Sequence, residues 1–111
     1  MKPLIFNLLA LLAIEVLAAA PGKETFTGII TDSMCARADH SRMRMGPTDA
    51  ECTIACNDAH DAQYVLYDGK DVYTLSDQQK PGKLAAQKVT VVGTLDAKTK
   101  TIQVDSITSA K

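Results

Sequence analysis

Hydrophobic and polar positions follow two different rhythms along this chain. From Tyr64 onward they fall into short β-type runs separated by turn residues. Tyr64-Val65-Leu66-Tyr67 and Val72-Tyr73-Thr74-Leu75 flank Asp68-Gly69, the strongest hairpin signal in the sequence. Lys88 to Leu95 and Thr101 to Ile107 form a second predicted hairpin through Asp96-Ala97-Lys98-Thr99-Lys100. Ile102 and Val104 alternate cleanly, whereas Ile107 breaks the period and implies a bulge or a strand end. Ser76 to Gln87 is a polar connection broken by Pro81-Gly82, with room for one helical turn near Leu84. Upstream, Phe26 to Thr31 reads as one more short strand, with Gly28 marking a bulge or bend.

The stretch between these strands behaves differently. Asp32 to Pro47 has little periodicity and carries Arg37, Arg42 and Arg44, so it reads as loop. Thr48-Asp49-Ala50-Glu51 then fits a capping box and predicts a helix from about Asp49 to Asp61. At about 100° per residue, Cys52, Cys56, Ala59 and Gln63 share one narrow arc, with Ala55 and His60 at its edges. That arc is the expected inward face, and Ile54 falls opposite it.

Five short strands, with a helix after the first and a short connection after the third, predict a mainly β fold: a small five-stranded, OB-like barrel. The pieces that carry the resemblance are Phe26-Thr27-Gly28-Ile29-Ile30, Val89-Thr90-Val91-Val92-Gly93-Thr94-Leu95 and Ile102-Gln103-Val104-Asp105-Ser106-Ile107. The second and third look like the last two strands of secreted bacterial OB-fold proteins. The chain also resembles an uncharacterised group of small exported bacterial proteins. Those carry Asp-Ser-Met-Cys at the end of the first strand, then a His, then Cys-x-x-x-Cys on a helix. The matching residues here are Asp32, Ser33, Met34, Cys35, His40, Cys52 and Cys56. The usual OB arrangement puts its main helix between strands three and four, and this sequence departs from it.

The N-terminus adds a compartment. Lys2 precedes the apolar run Leu4 to Leu17, interrupted only by Asn7 and Glu15, and Ala18-Ala19-Ala20 forms a small-residue cleavage site. Residues 1–20 therefore read as a secretory signal peptide, and 21–111 as one domain with a Cys/His loop–helix insertion at 32–62. The apolar run is short for a membrane span, so no stable membrane insertion is expected after cleavage, and the location is periplasmic or secreted. A mature chain this small buries one modest core and often needs a staple, a disulfide or a metal. Net charge is −1 with the lysines scattered, which disfavours nucleic acid as a partner.

Candidate chemistry concentrates in the insertion, which holds all three cysteines and both histidines. On a helix, Cys52 and Cys56 have Cβ atoms roughly 5–6 Å apart, against the about 3.5–4.5 Å of a disulfide. They are better placed to share an ion than to bond each other. His60 lies about 12 Å along the axis from Cys52, so only Cys56 is within its reach. Three readings follow. Cys35, His40, Cys52 and Cys56 could bind zinc or copper, a Cys3His set, with Met34 and His60 as secondary candidates. Alternatively, Cys35 bonds Cys52 or Cys56 and staples a metal-free module that binds protein or saccharide, with Tyr64, Tyr67 and Tyr73 on the ligand face of the barrel. Third, one thiol is a redox or nucleophilic group activated by His40 or His60. The preferred expectation is a non-catalytic binding protein, not an enzyme.

Overall fold

The computed structural model describes residues 22–110, so the expected signal peptide lies outside the described residues. The fold is mainly β: five strands in one sheet, with one α-helix. Strand β1 covers Glu24–Asp32, α1 Asp49–His60, β2 Tyr64–Tyr67, β3 Val72–Leu75, β4 Lys88–Asp96 and β5 Thr101–Ser109. A 3-10 turn over Lys80–Leu84 fills the connection after β3, where Pro81 occupies its first turn. The strands pair in the order β1-β2-β3-β5-β4, and β4 pairs again with β1, so the sheet closes. All the pairings are antiparallel except β3 with β5.

Strand β1 makes closure possible by serving two neighbours. Glu24 to Ile29 pair with β4, and Ile29 to Asp32 pair with β2. Gly28 sits at this handover in unbroken register, where a Cβ would run into the Tyr67 carbonyl. In place of the expected bulge or bend, Gly28 marks a close backbone approach that only glycine permits. A bulge does lie in β5, as the broken period at Ile107 implies. Val92 pairs with Ser106 and Gly93 with Val104, which leaves Asp105 unpaired. That extra residue explains why Ile107 falls out of step with Ile102 and Val104.

Inside the sheet, Ile30, Tyr64, Leu66, Leu75, Val89, Val91 and Ile102 form one buried cluster. Each such side chain contributes about 1.5–3 kcal/mol on burial. The expected tyrosine face does not exist as a single surface. Tyr64 belongs to the core, and Tyr73 packs against it with its ring tilted on Phe26 at 5.3 Å. Tyr67 is half-buried, and its hydroxyl donates to the Gly69 carbonyl. The cause is the two-residue period of a strand, which sends Tyr64 and Tyr67 to opposite sides.

The helix begins as expected. Thr48 caps it by accepting the Glu51 N–H at 3.2 Å, and its hydroxyl donates to the Glu51 carboxylate. It ends at His60, one residue short of expectation, because Asp61 turns left-handed (φ 52°) and returns its N–H to the Cys56 carbonyl. The buried stripe is Cys52, Thr53 and Cys56, packed towards β1. Ala59 and Gln63 are exposed, contrary to the expected arc. The helix buries only its first two turns, so the last turn stands clear and Thr53 takes the inward place. Ile54 is exposed, as its position opposite the cysteines required.

Candidate metal centre

Strand β1 ends on a buried carboxylate that shapes everything after it. Asp32 Oδ1 accepts the Met34 N–H at 3.0 Å and the Cys35 N–H at 2.8 Å, an Asx-type turn that reverses the chain. Thr31 fastens the same turn from behind, its hydroxyl donating to the Cys35 carbonyl at 2.7 Å. Cys35 is thereby held inward and Met34 turned outward, 43 % exposed. A left-handed Ala38 (φ 60°) and a second Asx turn, with Asp39 Oδ1 accepting from the Ser41 N–H and hydroxyl, then carry the chain through His40. These two Ser41 bonds hold the Asp39 carboxyl below its ordinary pKa.

The third element is the helix. Cys52 lies in its first turns, and the loop ahead wraps its sulfur: the Met45 N–H donates to Sγ at 3.3 Å, while the thiol donates to the Met43 carbonyl at 3.3 Å. Gly46 lets the loop pass that close, since a Cβ there would lie 2.9 Å from the Glu51 Cβ.

Cys35, His40 and Cys52 converge, with one ligand atom from each lying within 4.8 Å of the others, and all three are buried. A tetrahedral ion with bonds of about 2.0–2.3 Å needs its ligands roughly 3.3–3.8 Å apart. The trio thus needs at most roughly 1.5 Å of closure to take one. This buried Cys-His-Cys group could hold a metal ion.

The other expected site residues divide. Cys56 is fully buried one turn beyond Cys52 but stands outside the trio. His60 is exposed at the end of the helix and lies outside the group, and Met34 faces solvent. All three cysteines are free thiols, with no disulfide at bonding distance among them.

Electrostatics sharpen the picture. Burial pushes the Cys56 thiol up from the ordinary 9.0 to about 12, with the Asp32 charge adding to it. Burial, then the Asp32 charge, also raise Cys35. Thiols raised in this way are protonated at neutral pH, the reverse of the depressed values that nucleophilic cysteines use. Asp32 itself is wholly buried, with Oδ2 3.9 Å from His40 Nδ1. Neither atom has a hydrogen-bond partner. Orphaned polar atoms of this kind cost about 1–3 kcal/mol each, and both lie at the trio. An open surface hollow of ≈ 370 Å³ is lined by Cys35 together with Met34, Arg37, Asp39 and Arg42.

Asp32 is the residue that sequence reasoning missed. In the sequence it stands only as the first residue of the Asp-Ser-Met-Cys motif, and its three-residue spacing from Cys35 is the signal that its carboxylate can hold that amide. In comparisons with known proteins, the chain matches no family model, no curated protein and no solved structure.

Proposed function

We propose that this is an exported, non-catalytic metal-binding protein of the cell envelope, in which Cys35, His40 and Cys52 hold one transition-metal ion and Cys56 lies in reserve as a fourth ligand. The scaffold is an OB-like barrel; the strand order β1-β2-β3-β5-β4 supports this, with the inserted helix as its departure. One observation carries the function: three buried ligand atoms from a loop and a helix lie within 4.8 Å of one another, beside two buried polar atoms that lack partners. Zinc is the first choice. Two thiolates and the Asp32 carboxylate in a dry site balance a divalent ion better than copper(I). Copper(I) remains the other soft-ligand candidate, as thiolates suit it too.

A second reading has its own support. The thiols of Cys35 and Cys52 fall within the same 4.8 Å, so oxidation during export could join them and leave a stapled module that binds protein or saccharide. The raised Cys35 and Cys56 thiols count against the redox reading.

Elemental analysis and a thiol count on protein purified from the periplasm, without chelators, test the proposal. Metal binding predicts one ion per chain and thiols that become reactive once a chelator is added. A metal-free protein with one reactive thiol contradicts it and favours the staple.

A further inference from the structure

The Asp32–His40 contact does more than neighbour the site. We infer that Asp32 is an outer-sphere positioning residue that keeps His40 in the tautomer with Nδ1 protonated and Nε2 directed at the metal, while the same carboxylate positions Cys35. The inference rests on the metal reading above.

The geometry is unusual in what it leaves open. His40 Nδ1 and Asp32 Oδ2 face each other at 3.9 Å on side chains 2 % and 0 % exposed, and neither atom has another partner. A closure of about 1 Å brings them into hydrogen-bond range. Metal-bound imidazoles characteristically donate their second ring N–H to a carboxylate, which fixes both the tautomer and the ring plane. The other oxygen of Asp32 is already committed to the Met34 and Cys35 amides. One side chain therefore aligns two of the three ligands, and loading a metal supplies the reason for the gap to close. A buried ion pair serving stability alone needs no particular ring nitrogen, so the tautomer separates the two roles.

The test uses the full chain labelled with 15N in histidine, loaded with zinc(II), and long-range 1H–15N NMR. With two histidines in the sequence, exposed His60 serves as the internal reference. The expected result is His40 protonated at Nδ1 and zinc-shifted at Nε2. In Asp32→Asn, Oδ1 still accepts the two amides, but an NH2 group now faces Nδ1 and favours the opposite tautomer. Zinc affinity, measured by competition with a chromophoric chelator, falls about 10–100-fold at unchanged stoichiometry. Ligation through Nδ1, or an Asp32→Asn protein that binds zinc like the wild type, overturns the inference and leaves the metal site standing. Should the variant fail to fold, the wild-type tautomer decides alone. A wild-type chain that takes up no zinc removes the metal reading and this inference together.

Discussion

The sheet and the segment of residues 33–47 are ordered by different forces. In the sheet, strand ladders satisfy the backbone and seven buried apolar and aromatic side chains supply the core. The segment has no helix or strand; side chains hold its backbone, chiefly the carboxylates of Asp32 and Asp39 and the sulfur of Cys52. What it buries is polar or reactive: His40 and the thiols of Cys35 and Cys52. The sheet's apolar core needs no further partner, whereas the junction with the segment, at Asp32 and His40, holds two buried polar atoms without one. A ligand that fills the site should stabilise the segment and leave the sheet unchanged.

The sharpest way to break this contrast is a core truncation. Leu66→Ala, at a fully buried position, should cost about 2–5 kcal/mol in chemical denaturation, yet leave the metal stoichiometry of the folded fraction intact. Loss of binding in that folded fraction would mean that the two regions are one unit.

Next in size is a pH effect that arises at the helix packed beside the segment. The folded chain retains the Cys56 proton up to about 12, whereas an unfolded thiol releases it near 9.0. Ionisation then favours the unfolded chain, so metal-free protein should lose stability as pH rises from 9.0 to about 12. Below that window Cys56 makes stability no more pH-dependent. Thermal melts across the range should show the decline, and Cys56→Ala should flatten it; an unchanged slope would remove Cys56 from the account.

Zinc at a hundredfold excess over its Kd should stabilise the wild type by about 2.7 kcal/mol. Cys52→Ser, which keeps a small polar side chain but removes the thiolate, should gain little from the same zinc. Equal stabilisation of both proteins would place the metal elsewhere.

Much of the sheet was legible because strand physics is local. Alternation at Ile102 and Val104, the Asp68-Gly69 turn and the Thr48 cap each depend on a few adjacent residues, and each element stands where they indicated. Polar ends were harder to see: β1 reaches back to Glu24 and β5 on to Ser109, where Thr and Ser complete ladders that apolar patterning does not mark. The site was legible as residue types, and three of the four expected ligands meet. That Cys56 stands just outside the 4.8 Å group depends on where helix and loop face each other, which no spacing encodes. The role of Asp32 depends on its burial, and an isolated carboxylate in a sequence usually reads as solvated. Thr53 replacing Ala59 on the inward face follows from how far the helix overhangs the sheet, again a tertiary fact.

The smallest effect concerns the joint between the regions. Thr48→Ala should cost about 1 kcal/mol through loss of the helix cap, and it should weaken zinc binding only as far as the first turn carrying Cys52 frays. No measurable loss of stability would mean that tertiary contacts alone hold that turn.

The most direct measurement is X-ray absorption at the zinc edge of the loaded wild-type protein. The account predicts at least two sulfur neighbours at about 2.3 Å and one imidazole nitrogen at about 2.0–2.1 Å, with the sulfur signal reduced in Cys35→Ser and Cys52→Ser. A coordination shell of oxygen and nitrogen alone would contradict it.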